Sequence, residues 1–124
     1  MAVATIILLS GDEPLIRRVR NLAEAQGLVL HSITRLPEAR ASAPKKADPA
    51  LPERPDLALI DLNLGDGVLP WITDAGAYSR PPRRIAFLDH FVGDLPVRAK
   101  LAGADRVIAR SQVEAELSKL LRQL

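Results

Sequence analysis

The chain has no cysteine, which excludes disulfides, thiolate catalysis and cysteine-ligated metal and fits a reducing compartment. Aromatic residues make up only 3% of it, so the core must be aliphatic, built from Leu, Ile, Val and Ala. It has no long hydrophobic run: Ile6–Leu9 is as long as any, far below the ~20 residues of a membrane helix and too short for the apolar region of a signal peptide. It also lacks a strong excess of one charge. The 17 basic and 15 acidic residues leave a formal net charge of +2, and the two signs alternate along the chain, which gives little support to nucleic-acid binding. Neither G-x-G-x-x-G nor a P-loop occurs, so a small enzyme or nucleotide binder that cradles phosphate on glycines is disfavoured. These absences predict a cytoplasmic protein that engages neither membrane nor nucleic acid.

What is present is one domain's worth of alternating signals. At 124 residues the chain has room for a single core, and residues 1–124 are read as one domain. Short apolar runs recur at Ile6–Leu9, Leu28–Leu30, Leu57–Ile60, Ile85–Leu88 and Val107–Ala109. They lack the alternation of half-exposed strands, as expected where a parallel sheet is covered on both faces. After the first run, Asp12 offers an N-cap, Pro14 a first-turn residue, and Leu15, Ile16, Val19, Leu22 and Ala23 an apolar stripe that stops at Gly27. The last segment reads as a second clear helix, with Ser111 and Glu114 as a capping box and Val113, Leu117, Leu120, Leu121 and Leu124 on one stripe. A shorter helix ends at Gly103, and another around Trp71 is interrupted by Pro70 and Gly76. Between Leu36 and Pro55 five prolines allow only a short helix over Pro37–Ser42, followed by a loose loop at about 43–55.

Strand and helix alternating five times over predict an α/β fold: a doubly wound, five-stranded parallel sheet of order 2-1-3-4-5, with ligands outside the carboxyl ends of its strands. The strand ends then present Gly11, Asp12 and Glu13 after the first strand, Asp61 after the third, Asp89 and His90 after the fourth, and Arg110 and Ser111 after the fifth. In that order Asp12 and Asp61 face each other. Two carboxylates ~4 Å apart repel by about 4 kcal/mol at an effective dielectric near 20, so they call for a proton, a basic side chain or, best, a divalent cation. Mg2+ with Asp12, Asp61 and the backbone carbonyl of Asn63 is the expected set, and such a site would equip Asp61 to attack a phosphoryl group. Glu13 reads as a favourable first-turn acid rather than a ligand. His31 and His90 are too far apart in sequence to suggest a metal set.

The stretches ILLSGDEPLIRRVRNLAEAQG, PDLALIDLNLGDG and LAGADRVIARS resemble, in order and spacing, the receiver domain of two-component response regulators, across essentially the whole chain. The resemblance implies a flavodoxin-like (βα)5 fold, Asp61 as phosphoacceptor, and Asp12, Asp61 and Asn63 around Mg2+. It also implies a histidine kinase or phosphotransfer protein as donor, a downstream protein target, and docking or homodimerisation through the last two helices. No enzymatic turnover is implied, and output is expected to come from protein contacts.

The sequence departs from that pattern at four places. Gly11 replaces the outer acid of the family's acidic pair, weakening the implied metal site. Asp89 stands where a Thr or Ser would donate to the phosphoryl group, Arg110 where a Lys precedes a proline, and Val107 near the place of the fifth strand's switch aromatic. Asp89 and Arg110 are expected to form a bidentate ion pair that fills the phosphate space. Two readings follow: a stand-alone receiver of a phosphorelay, or a phosphorylation-independent pseudo-receiver that acts as an interaction or dimerisation module. The Arg80–Arg84 cluster reads as a solvated loop entering a strand, and Trp71 and Tyr78 as a partner surface or as packing of a weak helix.

Overall fold

The computed structural model describes residues 5–34, 56–75, 82–89 and 93–121. The short helix at 37–42, the loop at 43–55, Tyr78 and His90 lie outside them. Five strands, β1 (Thr5–Leu9), β2 (Val29–Ile33), β3 (Leu57–Asp61), β4 (Arg83–Leu88) and β5 (Arg106–Ala109), form one all-parallel sheet of order β2-β1-β3-β4-β5. Helices α1 (Glu13–Ala25), α2 (Leu69–Ala75), α3 (Leu95–Ala102) and α4 (Val113–Leu121) lie between and after them. The expected fold class and strand order are therefore those observed. None of the helices among the described residues is long and apolar enough to cross a membrane.

Parallel strands hydrogen-bond only to one another, so both faces of the sheet must be covered to shelter such apolar runs. Side chains alternate between faces, and the core divides accordingly. Ile6, Leu8, Leu57, Leu59, Ile85, Phe87 and Ile108 pack with Leu15, Ile16 and Val19 of α1 and Val113 and Leu117 of α4. Ile7, Leu9, Ile33, Ala58, Ile60, Ala86 and Leu88 pack on the other side with Trp71 and Ile72 of α2 and Ala99 of α3. β3 is buried at every position, whereas β2 at the sheet edge exposes Val29.

Local chemistry explains most helix ends. Asp12 caps α1, its Oδ1 accepting from the Leu15 N–H at 3.3 Å, and Pro14 sits where a missing N–H costs nothing. α3 ends at Gly103, whose φ of 125° an L-residue rarely adopts. Pro70 does not interrupt α2, because it stands in the first turn of that helix. Trp71 is buried against the sheet rather than displayed to a partner.

Three local expectations are corrected. The second strand runs Val29–Ile33, later than Leu28–Leu30, because its pairing with Thr5–Leu9 is set by β1 rather than by its own apolar run. Ser111 does not cap the last helix: residues Arg110–Gln112 form a 3-10 turn, and the Gln112 Oε1 accepts from the Ala109 N–H at 3.0 Å. Glu114 instead pairs with Arg18 Nε at 2.6 Å, across the α1–α4 seam. Arg84 is not a solvated loop residue. It is half-buried in β4, donates from Nη1 to the Ile72 carbonyl at 2.9 Å, and its guanidinium lies over Gly103.

Candidate functional site

At the carboxyl edge of the sheet, the residue that continues the α1/α4 face of β1, β3, β4 and β5 is polar. Ile6 and Leu8 lead to Ser10, Leu57 and Leu59 to Asp61, Ile85 and Phe87 to Asp89, and Ile108 to Arg110. Parity alone sends all four side chains to one side. Register brings them level: Leu9 is opposite Ile60, so Ser10 adjoins Asp61, and Leu88 is opposite Ala109, so Asp89 adjoins Arg110.

Asp61 is 3% exposed. Its Oδ2 accepts from the Ser10 hydroxyl at 2.7 Å and its Oδ1 from the Asn63 N–H at 2.9 Å. Burial raises its pKa above the usual carboxylate range and the nearby Asp89 charge adds to this, while the bonds from Ser10 and Asn63 pull it back. Ser10 is fully buried and serves two masters: besides donating to Asp61, its Oγ accepts from the Asp12 N–H at 3.1 Å. The carboxylate is thereby tied to the first turn of α1.

Arg110 closes the other side. Its Nη1 reaches both oxygens of Asp89, at 3.1 and 3.4 Å, and its Nη2 forms an ion pair with Asp12 Oδ2. The expected Arg110–Asp89 ion pair is present, and the guanidinium is shared with a second acid, Asp12. Arg110 and Asp12 are largely shielded, with side-chain exposures of 32% and 11%. Arg18, Asp89, Ala109, Arg110 and Ser111 line an open cavity of ≈330 Å³ beside this bridge. Val107 is half-buried and packs against the α2/α3 side of the core, away from the pocket.

The acids expected at the site are thus joined in one chain of contacts, in the order Asp61, Ser10, Asp12, Arg110, Asp89. Asn63 joins through its N–H. Ser10 was not anticipated, since a serine after an apolar run looks like an ordinary strand terminus. The signal that identifies it is its place two residues beyond Leu8, on the face that also carries Asp61.

Whether a divalent ion suits this pocket follows from the donors. Asp12 spends Oδ1 on capping α1 and Oδ2 on Arg110, and both oxygens of Asp61 accept hydrogen bonds from protein groups. Among the described residues no three His, Cys, Asp or Glu side chains are grouped as metal ligands. With a guanidinium already seated on Asp12 and Asp89, the donors as arranged do not fit Mg2+ at Asp12, Asp61 and Asn63.

No protein-family model matches the chain, and no curated protein matches it. Solved structures do. A response regulator receiver domain protein (CheY-like) from Methanospirillum hungatei superposes with a TM-score of 0.74 at 17% identity, over 98% of this chain and 96% of that one. The signal receiver domain of an HD domain-containing protein from Pseudomonas fluorescens gives 0.74 at 20% identity, over 98% and 94%. A response regulator from Burkholderia pseudomallei, with a phosphorylated aspartic acid and a calcium ion, gives 0.72 at 18% identity, over 93% of this chain and 65% of that one. From strand order, layering and superposition alike, this chain has the fold of response regulator receiver domains.

Proposed function

We propose that the chain is a response-regulator-type receiver of two-component signal transduction whose pocket is rebuilt around Arg110, so that it signals through protein contacts rather than metal-dependent phosphorylation of Asp61. The observation that carries this reading is the shared ion bridge from Arg110 to Asp12 and Asp89. It occupies the space where an incoming phosphoryl group and its counter-ion would sit, and it leaves Asp89, a charge that repels phosphate, where a hydroxyl donor would be useful. Burial and the neighbouring Asp89 also raise the pKa of Asp61, while Ser10 and Asn63 hold its carboxylate in hydrogen bonds. On this reading the protein is a binding module, not an enzyme.

A second reading, phosphorelay from a histidine kinase or phosphotransfer protein to Asp61, is favoured by two observations. Asp61 stands at the carboxyl end of β3, linked through Ser10 to the N-cap acid of α1, and a protein of the same fold has been solved with a phosphorylated aspartic acid. The experiment that separates them is incubation with a small phosphodonor or beryllofluoride and Mg2+, read by intact mass and by amide chemical shifts. We expect no modification and no shift at Asp61. Tight modification that is lost in Asp61→Asn would overturn the first reading and establish the second.

A further inference from the structure

We propose that Arg110 is the resident cation of the pocket, neutralising permanently what a divalent ion would neutralise reversibly, and that its removal turns Asp12, Asp61 and Asp89 into a divalent-cation site. The inference takes the pocket as the functional site, as the preceding reading does, but its chemistry stands on the residues alone. Three acids are linked there through Ser10 and Arg110: one from the N-cap of α1, one from the end of β3 and one from just past β4. A single guanidinium, from just past β5, touches two of them through separate nitrogens, and the third is near enough for Asp89 to raise its pKa. Arginine stays charged at any working pH, and its planar fork can serve two carboxylates at once, which a lysine ammonium does less well.

Such a bridge joins α1, β4 and β5 without depending on any ion. The second contact across the α1–α4 seam, Arg18 with Glu114, is half-exposed on both sides and contributes little by itself. Delete the guanidinium and the balance shifts. Asp12 Oδ2 and both oxygens of Asp89 lose their partner, while Arg18, the other base lining the cavity, is engaged by Glu114. A hard divalent cation, which accepts one or two carboxylates and keeps several waters, suits that donor set.

The test is a titration of the full chain with Mn2+, which takes the same oxygen ligands, followed by paramagnetic broadening of amide resonances. Melting temperature is measured in parallel with and without millimolar Mg2+. For the wild type we expect no broadening centred on Asp12 and Asp61 and no change in melting temperature. Arg110→Ala should melt lower without metal, recover with Mg2+, and bind Mn2+ at least about tenfold more tightly than the wild type, with broadening at those two residues. Asp12→Asn in the Arg110→Ala background should abolish the gain. Arg110→Met, which keeps the apolar stem in place, is read in the same way should the alanine variant not fold. Wild-type binding at the pocket as tight as that of the variants would overturn the proposal, as would variants that gain no affinity. The signalling reading fails on a separate result, phosphodonor modification of Asp61, so the two failures are distinguishable.

Discussion

Replacing Ser10 by alanine tests the whole hydrogen-bonded side of the pocket, because one buried hydroxyl serves both Asp61 and the first turn of α1. In Ser10→Ala the Asp61 carboxylate loses a 2.7 Å charge-assisted bond, worth about 1.5–3 kcal/mol when the acid is ionised. The Asp12 N–H loses its acceptor as well, and being only partly buried it adds about 0.5–1 kcal/mol. The expected cost at neutral pH is thus about 2–4 kcal/mol, a large share of the ~5–15 kcal/mol that holds a domain folded. The sign with pH follows from Asp61, whose folded pKa is raised. A raised carboxylate favours the fold in its neutral form, so its contribution is complete below the unfolded value and is lost as pH climbs through the folded value. Removing Ser10 takes away a bond that holds this pKa down, and raises it further. The Ser10→Ala penalty should therefore be small in acid, where Asp61 is protonated in both states, and grow through the range above the ordinary carboxylate value. Urea unfolding followed by Trp71 fluorescence reads it directly, since Trp71 is the sole tryptophan and is buried. With m near ~1–3 kcal/mol/M, the midpoint should fall by about 1–2 M at neutral pH. A penalty below about 0.5 kcal/mol, or one that does not change with pH, would refute the reasoning.

Asp61→Asn should flatten the loss of stability as pH rises from acid to neutral, and should also reduce the cost of Ser10→Ala when the two are combined; a double-mutant cycle in urea measures the coupling. Gly103→Ala should destabilise by about 2 kcal/mol or more, because φ is 125° there and a Cβ would lie 2.6 Å from Arg84 Nη1. Gly27→Ala, with φ of 70° and open space around it, should cost only about 1 kcal/mol, and melting temperatures of the pair check the difference. Phe87→Ala removes a fully buried ring opposite Asp61 in the β3–β4 register and should cost about 3–5 kcal/mol in urea melts. Asp12→Asn keeps a capping oxygen for Leu15 and loses only the Arg110 pair, so it should be milder than Asp12→Ala, which forfeits a cap worth about 0.5–2 kcal/mol as well; thermal melts rank the two.

Much of the fold was legible along the chain because it depends on local periodicity. Five short apolar runs separated by capped, striped helices already specify strands covered on both faces, and Asp12, Pro14 and Gly103 carry out the local roles their chemistry predicts. The gathering of Asp12, Asp61, Asp89 and Arg110 at one edge also follows from sheet order, once each is seen to end a strand or begin a helix. Boundaries set by pairing were less visible: β2 took its extent from β1, and the last helix is entered through a 3-10 turn closed by Gln112 rather than through a Ser–Glu capping box.

What the sequence determined by itself was the class of fold, the two-sided aliphatic core and the set of charged residues brought to the sheet's carboxyl edge. Tertiary structure alone decided how those charges are shared: that Ser10 holds Asp61, and that Arg110 divides its fork between Asp12 and Asp89. The reason is that period and propensity act within a few residues of the backbone, whereas an ion pair depends on angstrom-scale distances between segments more than 20 residues apart, set only when the strands have found their register and the helices have packed against them.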